Sequence, residues 1–195
     1  MKKQIMIFDL ETNGLKGSSV LSCCGLKVLT WIDNKRNRQF HEAAWLLRYY
    51  YPVEPYQKRA ICINGLTREK IKKMRDDADY PAYFKDDRQD ISAFFSGIDL
   101  YIAHNIRFDA SFMPFPITPC FCTMTSLTDF CALPWNSTRR SCKWPQLQEV
   151  AQILNLEYNP ENLHSADGDV RITFEIFKRI SAVQAFKKQI DKLLS

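Results

Sequence analysis

Lys3-Gln4-Ile5-Met6-Ile7-Phe8-Asp9-Leu10-Glu11-Thr12-Asn13-Gly14-Leu15 is the stretch on which the fold turns. Four consecutive apolar residues, Ile5 to Phe8, followed by an acid form the pattern of a buried central strand that finishes at an exposed edge. Asp9 and Glu11 lie two residues apart, so a strand points both carboxylates to one side. Like charges placed in this way repel, and a proton or a divalent cation relieves them. Hard oxygen ligands with no softer donor nearby suit Mg2+ or Mn2+. The same acids also serve to end a strand before a turn at Asn13-Gly14, and this segment alone leaves both readings open.

Two further strand-like runs follow, Val20 to Ile32 and Gln39 to Tyr51, separated by the polar turn Asp33 to Arg38; together they predict an antiparallel hairpin. Leu66 to Met74 reads as a helix with Thr67 as its cap. Arg75 to Asp90 is dense in charge and reads as a solvated loop, before a helix around Ile91 to Phe95. Asp99 to Ala103 is a short apolar strand, and Phe108 to Phe112 begins a helix. Pro114, Pro116 and Pro119 forbid regular helix, and Cys120 to Thr125 reads as a strand. Gln146 to Leu154, Val170 to Ile180 and Val183 to Leu194 carry helical periodicity. A hairpin-bearing sheet followed by alternating strands and helices predicts a mixed α/β sheet with helices on its faces.

Composition sets the frame. The chain has 195 residues, 46% hydrophobic and 13% aromatic, enough for a full core. That excludes disorder, collagen-like repeats and small disulfide scaffolds. One domain spanning 1–195 is expected, with a basic helix at about 183–194. The net charge of +5 is uneven: residues 171–195 carry six bases against two acids. An anionic partner fits that tail. Seven cysteines in a chain that does not need staples read as reduced thiols of a cytoplasmic protein. Cys120, Cys122, Cys131 and Cys142 lack the second close pair of a structural zinc site and read as buried apolar thiols. Ser18 to Ile32, the longest apolar candidate, is too short to cross a bilayer and is interrupted by Lys27. The apolar run after Lys2-Lys3 stops at Asp9, unlike a signal peptide.

Two more segments carry chemistry. In Tyr101-Ile102-Ala103-His104-Asn105-Ile106-Arg107-Phe108-Asp109, a strand again ends in polar residues, and Asn105 or Asp109 suits a helix cap as well as a site. His104 reads as a core or supporting histidine. In His164-Ser165-Ala166-Asp167-Gly168-Asp169, an imidazole precedes a carboxylate by five residues across a flexible glycine. Acids here also suit a helix N-terminus.

Taken in order, Asp-x-Glu-Thr-x-Gly-Leu, His-Asn-x-x-Phe-Asp and His-x-Ala-x-x-Asp resemble the three motifs of the DEDDh 3′→5′ exonucleases. This is the family of the bacterial DNA polymerase III proofreading subunit, RNase T and oligoribonuclease. Ile63-Asn64-Gly65-Leu66-Thr67 and Trp144-Pro145-Gln146-Leu147 resemble further family elements, with Asn13 and Asn64 departing from the family's usual Thr and His. The resemblance implies a ribonuclease-H-like fold, a mixed five-stranded α/β sheet flanked by helices. It implies two divalent cations, Mg2+ or Mn2+: Asp9 would bridge both, Glu11 and Asp169 would hold the one that binds the attacking water, and Asp109 would serve the other. His164 would be the general base. Thr12 would meet the 3′ end, Leu15 would wedge against the terminal base, and Asn105 with Phe108 would flank the terminal nucleotide. Leu15 and Phe108 also suit plain core positions.

The expected partner is nucleic acid, DNA before RNA and single-stranded 3′ ends first, with a replication or repair protein as a further candidate and no membrane. Val183-Gln184-Ala185-Phe186 does not match a sliding-clamp peptide. The competing functions are an exoribonuclease of the RNase T or oligoribonuclease kind, decided by contacts to the 2′-hydroxyl, and a catalytically inactive binding member. The presence of all four acids and the histidine disfavours the latter.

Overall fold

Period-two alternation in the first strand sorts the molecule into two faces. Strand β1 (Lys3–Thr12) sends Ile5 and Ile7 into one core cluster and Met6, Phe8 and Leu10 into the other. Asp9 and Glu11 continue the Ile5–Ile7 side, so the acids inherit the face against which the C-terminal helices pack. A computed structural model describes residues 2–138 and 140–195.

β2 (Val20–Ile32) pairs antiparallel with β1, and β3 (Arg38–Tyr49) antiparallel with β2. The hairpin forms because Asp33 Oδ1 accepts from the backbone N–H groups of Lys35 and Asn37 at 2.9 and 2.8 Å. Helices α1 (Lys58–Asn64), α2 (Arg68–Met74) and α3 (Arg88–Phe94) then lead to β4 (Leu100–Ala103), which joins the other edge of β1 in parallel. After α4 (Ile106–Ala110), β5 (Cys120–Cys122) extends the sheet in parallel, giving the order β3-β2-β1-β4-β5. Two single-turn helices, α5 (Thr123–Ser126) and α6 (Thr128–Cys131), precede a small hairpin of β6 (Trp135–Asn136) and β7 (Ser141–Cys142). Helices α7 (Leu147–Ile153), α8 (Ala166–Ser181) and α9 (Gln184–Leu193) close the chain. Val150, Val170, Ile176, Phe177 and Ile190 pack on the Ile5–Ile7 face. This is the expected mixed five-stranded α/β sheet flanked by helices.

Several boundaries differ for physical reasons. The strand from Cys120 stops at Cys122, because Thr123 begins helix α5 and buries its side chain. The helix predicted from Phe108 already starts at Ile106, and that predicted from Val170 starts at Ala166. Gly168 is therefore not a flexible link but a residue of the first turn of α8. Glycine is required there because a Cβ would lie 2.0 Å from the Asn162 carbonyl oxygen. Arg75 to Asp90 is not a solvated loop throughout. Arg75 donates to the carbonyls of Tyr49 and Tyr80. Asp87, buried, accepts from Arg48 at 2.6 and 2.7 Å and from the Tyr50 hydroxyl at 2.6 Å. A buried carboxylate persists only with such partners, so the stretch is clamped to β3.

The basic tail, for which an anionic partner is expected, lies at the end of the sheet away from the acids. Lys3 faces Thr30 near the hairpin tip, whereas Glu11 faces Ser22 at the opposite end of β1. Helix α9 sits at the hairpin-tip end, where Lys187 donates to the Arg36 carbonyl and Asp191 pairs with Arg38. Asp169 lies in the first turn of the α8 span Ala166–Ser181, and the twelve residues after it put about 18 Å of helix, at 1.5 Å per residue, between it and the tail. Phosphates at the acids are out of its reach. Among the described residues, no helix is long and apolar enough to cross a membrane.

Candidate active site

Three elements deliver the acids to one place. β1 supplies Asp9 and Glu11 from one face just before a bulge at Glu11–Thr12. The first turn of α8 supplies Asp169, which Ser165 helps to set by capping the helix through Gly168 N–H at 3.3 Å. One carboxylate oxygen each from Asp9, Glu11 and Asp169 lie within 4.8 Å of one another. Helix α4 supplies Asp109, which is 3% exposed. Its Oδ1 accepts from the Leu10 backbone N–H at 3.1 Å, fixing it to the same strand end between the two β1 acids.

Electrostatics follows from that crowding. Burial, then the charges of Asp109, Glu11 and Asp169, push Asp9 well above the usual carboxylate range. Burial and Asp169 push Glu11 up to about 8, against the pull of Asn64 and Lys70. Burial lifts Asp109 to about 7, although the Leu10 N–H opposes it. Burial lifts Asp169 to about 6, although His164 opposes it. Four carboxylates that resist ionising together, all hard oxygen donors, fit a divalent cation of the Mg2+ or Mn2+ kind.

A pH dependence of stability follows. In the native chain these acids hold protons more tightly than unfolded carboxyls, which titrate near pH 4. Between roughly pH 4 and 8 the native state therefore binds more protons, and stability without cation falls as pH rises. Thermal melts should show Mg2+ or Mn2+ raising Tm more at pH 8 than at pH 5.5, because protons compete at the lower pH. An equal increment at both would mean that the cation binds elsewhere.

His164 stands one residue before the cap of α8, exposed and in the left-handed region at φ 61°. Its backbone N–H donates to Asp169 Oδ1 at 3.3 Å. His104 is different. Its Nδ1 meets Thr123 Oγ1 and its Nε2 the Pro145 carbonyl oxygen, both at 3.0 Å. Pro145 can only accept there, so Nε2 carries the proton. Burial drives this imidazole down to about 4. It is a supporting histidine that fastens the Pro145 loop to the end of β4, in line with its reading from sequence. Among the described residues the four cysteines of the zinc alternative form no ligand cluster. Cys120 is exposed, not buried as expected, because it opens the short edge strand β5.

Two cavities flank the acids. One of about 390 Å³ is lined by Glu11, Thr12, Leu15, Ile63, Asn64 and Phe108. Thr12, Leu15 and Phe108 thus come together, and Leu15 is 82% exposed instead of packed in the core. The other, about 470 Å³, is lined by His104, Asn105, Lys143, Trp144, His164 and Asp169. Asn105, whose carbonyl accepts from the Phe108 N–H at 2.8 Å, lines this second cavity while Phe108 lines the first. Sequence reasoning missed α1 and the part played by Asn64. Its Nδ2 donates to the Thr12 carbonyl at 3.1 Å, and its Oδ1 accepts from Leu66 N–H at 3.0 Å. The available signal was Gly65, whose φ of 64° closes α1 as a left-handed cap. Asn13, buried, ties the end of β1 to Glu54, Pro55 and Gln57.

Comparison with known proteins shows the family and the fold. Residues 6–177 match the family model RNase_T, described as exonuclease. Exonuclease X in complex with 5′ overhanging duplex DNA superimposes with a TM-score of 0.55 at 20% identity, over 91% of this chain and 92% of that one. Escherichia coli Exonuclease I in complex with a dT13 oligonucleotide superimposes with a TM-score of 0.65 at 15% identity. That alignment covers 96% of this chain but only 43% of Exonuclease I. At such identities the structural likeness establishes the shared fold. No curated protein sequence matches the chain significantly.

Proposed function

The chain belongs to the RNase_T exonuclease family, and from that premise we propose that it removes nucleoside monophosphates from single-stranded 3′ ends of DNA, with residues 1–195 acting as one exonuclease domain. The observation that carries the reading is the cluster of Asp9, Glu11 and Asp169 within 4.8 Å, beside a cavity of nucleotide size. DNA is favoured over RNA because Exonuclease X and Exonuclease I, which share the fold, were both solved with DNA bound.

Asp9, Glu11, Asp109 and Asp169 would hold two divalent cations, Mg2+ or Mn2+, which when bound supply charge stabilisation to the attacking and leaving oxygens of an in-line displacement. His164 lines the cavity beside Asp169 and accepts the proton of the attacking water. Its backbone bond to Asp169 keeps the base and the carboxylate in register. Thr12 Oγ1 donates to the Gly14 carbonyl at 2.6 Å, which leaves its lone pairs to accept a hydrogen bond from the 3′-hydroxyl. Leu15, exposed at the cavity mouth, wedges against the terminal base, and Phe108 closes the cavity wall. Such apolar contacts tolerate any base.

The test is end-labelled single-stranded DNA, duplex DNA and RNA incubated side by side with Mg2+, with Mn2+ and with EDTA. Mononucleotide release from single-stranded DNA, faster than from RNA and absent in EDTA, is the expected result. Activity that persists in EDTA would overturn the cation-dependent reading, and faster release from RNA would overturn the choice of DNA.

A further inference from the structure

A scissile phosphate placed at the acids has a nucleoside on each side of it, and the acids lie between two cavities. Glu11 lines the cavity that holds Leu15 and Phe108, while Asp169 lines the one that holds Lys143 and Trp144. If the terminal nucleoside occupies the Leu15 cavity, the rest of the strand leaves through the other. That second cavity is continuous with the β6–β7 hairpin. The Lys143 backbone N–H donates to the Pro134 carbonyl at 2.9 Å, extending the ladder to the cavity wall. His104 then fastens the adjoining Pro145 carbonyl to the core at 3.0 Å.

The hairpin has the chemistry of a single-strand contact. Residues 130–148 contain no acid but three bases, Arg139, Arg140 and Lys143, and two of the chain's four tryptophans. Trp135 is 67% exposed, more than any other aromatic side chain among the described residues. Its neighbour across the hairpin is the small Cys142, which leaves the ring largely open to solvent. Lys143 is engaged with Glu149 at 2.6 Å, whereas no carboxylate among the described residues pairs with Arg140. An exposed indole and an unneutralised guanidinium on one small hairpin match a base followed by a phosphate. A protein partner with an apolar or acidic patch is less well matched, because the hairpin offers one ring on a strongly positive background.

We propose that the β6–β7 hairpin is a platform for the single-stranded nucleic acid on the 5′ side of the scissile bond, with Trp135 stacking on a base and Arg140 contacting a phosphate. The inference rests on the exonuclease reading and adds to it the path of the strand. It makes substrate length the variable to test.

The experiment compares a thymidine dinucleotide with a thymidine dodecanucleotide, in Mg2+, for the wild type, Trp135→Ala, Trp135→Phe and Arg140→Gln. For Trp135→Ala, KM on the dodecanucleotide should rise roughly 5- to 150-fold, the range for loss of one stacked base, with kcat unchanged. The dinucleotide, too short to reach the hairpin, should be cut as by the wild type. Trp135→Phe should keep most of the affinity for the longer strand. Arg140→Gln should lower the salt slope of binding by about 0.7, one phosphate on a single strand. Equal losses on both lengths, or none on either, would overturn the proposal while leaving the nuclease reading intact. If the wild type cuts neither substrate, the nuclease reading itself fails.

Discussion

Asp9→Ala is expected to abolish turnover while leaving the metal-free protein at least as stable as the wild type. Asp9 sits among Glu11, Asp109 and Asp169, and each of those charges raises its pKa. Removing it relieves repulsion, so the melting temperature without cation should hold or rise, most visibly above pH 7. The same removal takes out the carboxylate on which the charges of all three others act. Charge stabilisation of the reacting oxygens is worth several kcal/mol, and each 1.36 kcal/mol is tenfold in rate. A loss of about 10³-fold or more follows, together with loss of the Mg2+-induced rise in Tm. Circular dichroism, a melt with and without Mg2+, and mononucleotide release measure the three parts separately. Activity within tenfold of the wild type would remove Asp9 from the chemistry. A large fall in metal-free Tm would mean that the acid is held for folding instead.

What the sequence made legible divides along the range of the forces involved. β1 and β4 are announced by unbroken apolar runs, because a strand buried on both faces has no polar alternation to show. Asp9, Glu11, Asp109 and Asp169 are legible through their motifs, yet their convergence depends on the face that Ile5 and Ile7 choose and on where α8 begins. α1 was invisible since Lys58–Asn64 buries only Ala60 and Asn64, too few positions for a period. Short helices of this kind are held by tertiary contacts, not by propensity. The β6–β7 hairpin has two residues in each strand, below the length at which alternation can register. The Arg75–Asp90 stretch resembled solvent-facing charge because its partners Arg48, Tyr49 and Tyr50 lie on a distant strand. The tail's charge was countable from the sequence, but its distance from the acids is set by the length of α8.

His164→Ala should separate rate from cation binding. The imidazole belongs to a residue outside the β1 acids, held beside Asp169 through the backbone instead of through its ring. Mg2+ prefers oxygen ligands to imidazole, so direct ligation would be the poorer use of this side chain. Loss of a positioned proton acceptor typically costs about 10²–10⁴-fold, and kcat should fall within that range while cation affinity, read by calorimetry or by the rise in Tm, changes little. Asp169→Ala should lower both. The assignment therefore rests on one side chain and one comparison: if His164→Ala weakens cation binding as much as Asp169→Ala does, the imidazole is a ligand, and the proton of the attacking water must go to another acceptor.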